Sequence, residues 1–421
     1  MREAPISALG KVVTGKTPKT SVEGNFGGDI PFVTPSDMDG RRIIDETARY
    51  LSEDGAATVK NCILPAGAIL VSCIGSDMGK THITANKSVT NQQINAVIVD
   101  DEQHSPLFVY YNLYGRRTEL REMAGGAAQP ILNKTDFSKL TIALPTLPEQ
   151  REIAAILGAL DDKIELNRKA SATLEAMARA LYRSWFVDFD PVWAKLEGRP
   201  PAHMPPATAA LFPDSFDDDG LPLGWALCGL DEIADFLNGA ALQKHPAAEG
   251  EDFLPVIKIA ELRNGITSKS NTAAANLPEK YRVENGDVLF SWSGSLLQKV
   301  WTGGAGALNQ HLFKVSSTVV PKWFHFFAVD HHMDDFRLTA ASKATTMGHI
   351  QRHHLADAKV SFPDETVMGA ADVRISPLFE RALKLDLENQ TLAALRDSLL
   401  PKLMSGEIRV GDARAPIKEI A

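Results

Sequence analysis

Gly67-Ala68-Ile69-Leu70-Val71-Ser72-Cys73-Ile74-Gly75-Ser76 has a counterpart in Gly286-Asp287-Val288-Leu289-Phe290-Ser291-Trp292-Ser293-Gly294-Ser295. Further on, Asn91-Gln92-Gln93-Ile94 matches Asn309-Gln310-His311-Leu312, so the copies lie 218 to 219 residues apart. The register continues through Ile131 with Ile350, Phe137 with Leu355 and Pro145 with Pro363. Self-similarity at one fixed offset means that a single structural unit is used twice.

Each copy begins as short β-type runs broken by Gly, Pro and Asn, such as Ile30-Pro31-Phe32-Val33 and Ala68-Ile69-Leu70-Val71-Ser72. The period then changes. From Pro148 onward Ile153, Leu157, Leu160, Ile164, Asn167, Ser171, Leu174, Met177, Leu181 and Trp185 step by three or four residues, the spacing of one helical face. Thr146 with Glu149 forms a capping-box pattern, and Pro148 suits a first turn. Moving that seam on by 218 gives Leu378, Ala382, Leu385, Asn389, Leu392, Leu395, Leu399 and Leu403. Two matched helices, each on the order of 50 Å long at 1.5 Å per residue, bury their stripes most simply against each other as an antiparallel pair. The expected fold class is therefore α+β: two similar α/β heads joined by two long antiparallel helices in a coiled coil, with a pseudo-twofold internal repeat. Leu157, Leu160, Ile164, Leu174, Leu181, Leu385, Leu392 and Leu399 form the expected helix seam.

Between the copies, residues 191–222 contain Pro200-Pro201, Pro205-Pro206 and Asp217-Asp218-Asp219, which is a linker composition. The 421 residues exceed one ordinary domain, and 44% hydrophobic with 23% charged content is that of a globular protein. No apolar stretch approaches the roughly 18 residues of a membrane span, and Met1-Arg2-Glu3-Ala4-Pro5 has no secretory h-region, so a cytoplasmic location is expected. Cys62, Cys73 and Cys228 are too scattered for a disulfide framework and are expected to be reduced, buried and inert. A net charge of −9 weighs against wrapping nucleic acid unaided, since phosphate affinity comes from Lys and Arg.

The local catalytic motifs fail. Gly75-Ser76-Asp77-Met78-Gly79-Lys80-Thr81 is one residue short of a P-loop, and His82-Ile83-Thr84 after it reads as strand, not as a phosphate-binding helix. Neither Asn-Pro-Pro nor Asp-Pro-Pro occurs, and no Glu has Lys two positions later, which excludes the usual methyltransferase turn and the metal-dependent nuclease pair. No Gly-x-Ser-x-Gly elbow is present. Among the clustered histidines only His349 and His353 have one-face helical spacing, too few for a metal site. No metal site and no catalytic residue is expected.

Two long runs carry a family likeness. Leu147-Pro148-Glu149-Gln150-Arg151-Glu152-Ile153-Ala154-Ala155-Ile156-Leu157, Leu160-Asp161-Asp162-Lys163-Ile164-Glu165-Leu166-Asn167 and Ser184-Trp185-Phe186-Val187-Asp188-Phe189-Asp190-Pro191 resemble the central conserved region of type I restriction-modification specificity subunits. Leu395-Arg396-Asp397-Ser398-Leu399-Leu400-Pro401-Lys402-Leu403-Met404-Ser405-Gly406-Glu407-Ile408 resembles their distal conserved region. Gly15-Lys16-Thr17-Pro18 and Leu221-Pro222-Leu223-Gly224-Trp225 fit as well, although the first head opens at Ile6-Ser7-Ala8-Leu9-Gly10 without a Leu-Pro-x-Gly-Trp lead-in.

The resemblance implies a non-catalytic subunit that reads a bipartite, asymmetric site in double-stranded DNA. It divides the chain into target recognition domain 1 (1–146), central conserved helix (147–190), linker (191–222), target recognition domain 2 (223–365), distal conserved helix (366–410) and tail (411–421). It also implies docking of two modification subunits, which are adenine methyltransferases, and of restriction subunits, with S-adenosylmethionine, ATP and Mg²⁺ held by those partners and no cofactor on this chain. Base-reading residues belong to the types that match base-edge donors and acceptors. In the first head these are Lys80, Thr81, Gln92, Gln129, Asn133 and Lys134; in the second, Lys299, Gln310, Lys343, Thr345, Thr346, His349, Gln351 and Arg352. For Asn91-Gln92 and Asn309-Gln310 a purely backbone-satisfying role stands beside the DNA-reading one. A two-headed protein-interaction scaffold, and the specificity module of a methylation-only defence system, are the alternatives.

Overall fold

The apolar run at Ile69–Ser72 becomes a strand whose four residues are all buried. Ile69 and Val71 enter one core with Val97, while Leu70 enters another with Ile94 and Ala96. A strand covered on both faces is apolar throughout, which is why this run does not alternate. In the computed structural model, which describes residues 2–124, 131–248, 250–342 and 348–413, the chain forms two compact units. One comprises Met1–Leu166 with Thr391–Ala421 and the other Asn167–Gln390.

In the first unit a five-stranded sheet runs in the order Gly10–Thr14, Ile94–Val99, Ile69–Ser72, Thr81–Thr84, Ile43–Ile44. A second sheet runs Tyr50–Leu51, Phe26–Val33, Ser88–Thr90, Ile63–Leu64, and Arg2–Pro5 pairs with Thr141–Leu144. The second unit repeats this plan. Its sheets run Asp235–Asn238, Leu312–Ser316, Val288–Ser291, Gln298–Val300, and Thr272–Ala274, Phe253–Ile257, Gly306–Leu308, Arg282–Val283. Ala226–Gly229 pairs with Lys359–Phe362. Register is kept as well, since Ile94 lies opposite Ser72 as Leu312 lies opposite Ser291.

Two long helices complete the architecture: α1, Leu147–Phe186, and α2, Glu365–Ser405. Within the first unit Arg396 of α2 pairs with Asp161 of α1, and within the second the Ala382 carbonyl of α2 accepts from Ser171 Oγ of α1. In the first unit Leu157, Leu160 and Ile164 share a core with Leu392 and Leu399. In the second, Leu385 is buried, but Leu174 and Leu181 are only partly so. Met177 is 50% exposed; burial there passes to Ala178 and Tyr182. The seam drifts by one residue because a 3.6-residue period does not hold a strict three-four rhythm, and Tyr182 packs against Phe324 and Phe327.

An ionic network ties the helices to the first sheet unit. Arg396 Nη1 donates to Asp161 Oδ1 at 2.7 Å, and the Tyr111 hydroxyl donates to Asp161 Oδ2 at 2.6 Å. Arg396 also lies over the Tyr114 ring at 5.0 Å.

The stretch 191–222, linker-like in composition, is packed rather than free. It carries helices Asp190–Leu196 and Pro206–Ala209, and it buries Val192 and Phe212 in the second unit's main core. Phe212 meets Trp185 edge-on at 5.1 Å. Of the cysteines only Cys73 is buried, its thiol pushed up to about 11 by desolvation; Cys62 and Cys228 are partly exposed.

Candidate nucleic-acid interface

Asn91-Gln92-Gln93 turns the chain between strands Ser88–Thr90 and Ile94–Val99. Asn91 Oδ1 accepts from the Gln93 backbone N–H at 3.0 Å, and the Asn91 N–H donates to the Val33 carbonyl. Asn309 does the same, accepting from the His311 N–H at 3.2 Å while its own N–H donates to the Ile257 carbonyl. Both asparagines are therefore backbone-satisfying. Each turn is also pressed by a glycine, because a Cβ on Gly15 would stand 2.2 Å from the Asn91 carbonyl oxygen and one on Gly239 2.2 Å from that of Asn309. Only a residue without a side chain permits that approach.

The glutamines that follow differ in exposure, and each is held from the side. Gln92 is exposed, and its Oε1 accepts from Thr17 Oγ1 at 2.9 Å. Gln310 is half-buried, with its Nε2 3.4 Å from His311 Nε2.

Around Gln310 the second unit gathers a polar and aromatic cluster. Trp292 Nε1 donates to Asn238 Oδ1 at 3.1 Å and to the Gln310 carbonyl at 3.2 Å. Its ring lies 5.8 Å from His311 and 6.4 Å from His349. Arg352 stands over Phe313 at 5.7 Å and donates to the Phe236 carbonyl. Gln310, His349 and Arg352 are thus brought together. At the matching place in the first unit are Cys73, Ile74, Gln92, Ile131, Asn133 and Lys134, where Ile131 bridges to Ile74 as His349 bridges to Ser293. The framework is the same while the outward side chains differ.

Other candidates fall elsewhere. Thr81 is 3% exposed on its strand and bonded to the Gly79 carbonyl, so it faces the interior. The neighbouring His82 is also buried; desolvation holds its imidazole down to about 4 and therefore neutral. Lys80 is paired with Asp77 at 2.8 Å and donates to the Pro35 carbonyl. Lys299 lines a groove with Glu175, Phe379 and Asp386, a lining that does not include Gln310. Asn133 caps the helix Lys134–Lys139 through the Asp136 N–H, leaving Lys134 exposed in its first turn. Gln351 stands before the helix Arg352–Asp357 and donates its backbone N–H to His354 Nδ1. His349 precedes that helix, so the helical spacing with His353 does not exist. Gln129, Lys343, Thr345 and Thr346 lie outside the described residues.

Sequence reasoning passed over Thr17, Trp292, His311, Arg117 and Arg121. The two arginines converge on the Ser76 carbonyl and brace the Gly75–Asp77 turn. His311 could have been found from the repeat alone, since it stands where the first copy has Gln93.

A model of the type I restriction modification DNA specificity domain matches residues 3–176 and again residues 222–396. The chain belongs to that family. Its members are the non-catalytic specificity components of restriction-modification systems, and this chain is one of them. It is 26% identical over 418 residues to the type I restriction enzyme MjaIX specificity subunit of Methanocaldococcus jannaschii, covering 96% of this chain and 93% of that protein. It is 25% identical over 331 residues to the HindI specificity subunit of Haemophilus influenzae, covering 66% and 71% of the two chains. The fold is similar to the crystal structure of the S subunit from M. genitalium, with a TM-score of 0.51 at 16% identity over 96% of this chain and 95% of that one. Among the described residues no helix is long and apolar enough to cross a membrane.

Proposed function

We propose that this chain reads a bipartite, asymmetric sequence in double-stranded DNA, one half-site by each unit, as part of a type I restriction-modification complex. The observation that carries this is the pair of equivalent turns, Asn91-Gln92-Gln93 and Asn309-Gln310-His311, set on one sheet order but surrounded by different outward side chains. A common framework with divergent donors and acceptors is what two different half-sites require, because base edges are distinguished by their hydrogen-bond patterns.

Partner subunits complete the assembly: two modification subunits that methylate adenine with S-adenosylmethionine, and restriction subunits that use ATP and Mg²⁺. Those cofactors are assigned to the partners, and this chain's part is to read the site. Its Gly75–Asp77 loop is a 3₁₀ turn leading into the strand Thr81–Thr84, which offers no helix N-terminus to a phosphate. With a net charge of −9, much of the phosphate neutralisation falls to the partners. Cytoplasmic residence follows from work on chromosomal and invading DNA.

The test is an exchange of residues 1–146 for the corresponding head of another specificity subunit, followed by long-read mapping of methylated adenine. One half of the methylated sequence should change while the other stays. If neither half changes, the two-head reading fails. A salt-dependent footprint on a split site, with the methyltransferase present, separates it from a protein-interaction scaffold.

A further inference from the structure

The two glutamines at the apex of the matched turns are held by opposite ends of their amides. In the first unit Thr17 Oγ1 donates to Gln92 Oε1 at 2.9 Å. The carbonyl end is engaged, and the two N–H donors are left to donate. In the second unit Gln310 Nε2 meets His311 Nε2 at 3.4 Å. An amide nitrogen can only donate, so His311 Nε2 is the acceptor and the ring proton sits on Nδ1. Ser293 Oγ lies 3.0 Å from His311 Nδ1, where a hydroxyl is able to accept that proton. Gln310 therefore has one amide N–H engaged and its carbonyl oxygen left to accept.

We propose that Gln92 and Gln310 are specificity-determining residues of opposite hydrogen-bond polarity: Gln92 reads an acceptor edge, guanine O6/N7 or thymine O4, and Gln310 reads a donor edge, the exocyclic amine of adenine or cytosine. Thr17 and the Ser293–His311 pair are positioning residues that set which amide end faces the base. This rests on the proposed role in reading split DNA. The repeat supports it, because the turn, its asparagine and its packing glycine are shared while the side-chain anchor of the glutamine differs. Neither glutamine is needed by the core: Gln92 is exposed and Gln310 half-buried.

The experiment is adenine-methylation mapping in a host expressing this chain with its modification subunit. Gln92→Ala should make one position of one half-site degenerate, and Gln310→Ala one position of the other, each with a loss of about 5- to 150-fold in discrimination at that position. Polarity is tested by charge-defined replacements. Donor-only Gln92→Lys and acceptor-only Gln310→Glu should keep a single preferred edge, whereas Gln92→Glu and Gln310→Lys should lose or invert it. Thr17→Val should loosen the Gln92 position, and Thr17→Ser should restore it. Where a variant methylates too little to map, the ratio is read from binding of the purified complex to duplexes carrying each base pair at that position. If both alanine variants keep the wild-type sequence while the 1–146 exchange still rewrites one half, the glutamine assignment is overturned and the two-head reading stands. If the exchange changes nothing, the two-head reading itself falls. If Glu and Lys behave alike at both positions, the opposite polarity is refuted.

Discussion

Arg396→Ala is the perturbation that most directly probes how α2 is locked to the first unit. The guanidinium and its partner are both nearly closed to solvent, with side-chain exposures of 13% for Arg396 and 8% for Asp161. Removing the arginine leaves Asp161 buried with one remaining donor, the Tyr111 hydroxyl at 2.6 Å. An uncompensated buried charge costs about 3–5 kcal/mol, against about 0–1 kcal/mol for an exposed pair. For a unit of this size each kcal/mol moves the melting temperature by roughly 2–4 °C, so the expected fall is about 6–20 °C by calorimetry or far-UV dichroism. Replacing both partners by apolar residues, Arg396→Met with Asp161→Leu, should recover most of it, because a buried pair contributes little beyond its apolar equivalent. A fall of less than about 2 °C in the single variant, or a double variant as unstable as the two singles combined, would show that the pair is solvated and that the helix is held by the leucine seam alone.

Three further outcomes follow from the same structure. Phe212→Ala should cost about 3–5 kcal/mol in urea unfolding, since the ring is 2% exposed against Trp185; a free spacer would lose almost nothing. His325 is buried, and desolvation lowers its pKa to about 4, so the folded state binds fewer protons than the unfolded state between about pH 6.5 and 4. Its contribution is complete above pH 6.5 and is lost as pH falls toward 4; His325→Leu should flatten that part of the stability curve. Gly239→Ala, whose Cβ would meet the Asn309 carbonyl at 2.2 Å, should displace the second reading turn. Methylation mapping should then show degeneracy in the half-site read by the second unit, with the other half-site unaltered.

How much of this was legible beforehand depends on how local the signal was. The seam through Leu157, Leu160, Ile164, Leu392 and Leu399 was readable because helical burial is periodic, and all five are core residues. The one-residue drift from Met177 to Ala178 was not, since it depends on where Phe324 and Phe327 sit to receive Tyr182. The composition of 191–222 pointed to a linker, yet Phe212 and Val192 find a core there, because proline and aspartate counts say nothing about where two apolar side chains land. Thr81 and Lys80 had suitable chemistry for base contact, but one faces inward and the other is paired with Asp77.

What the sequence alone determined is the duplication, the exchange of β-type for helical periodicity at Pro148, and the family likeness, all of which live in spacing along the chain. The tertiary structure alone decided which polar residues are offered outward. Thr17 lies 75 residues from Gln92, and Ser293 lies 18 residues from His311. Hydrogen bonds across such separations orient an amide or fix a ring proton only once the sheets have brought the partners together.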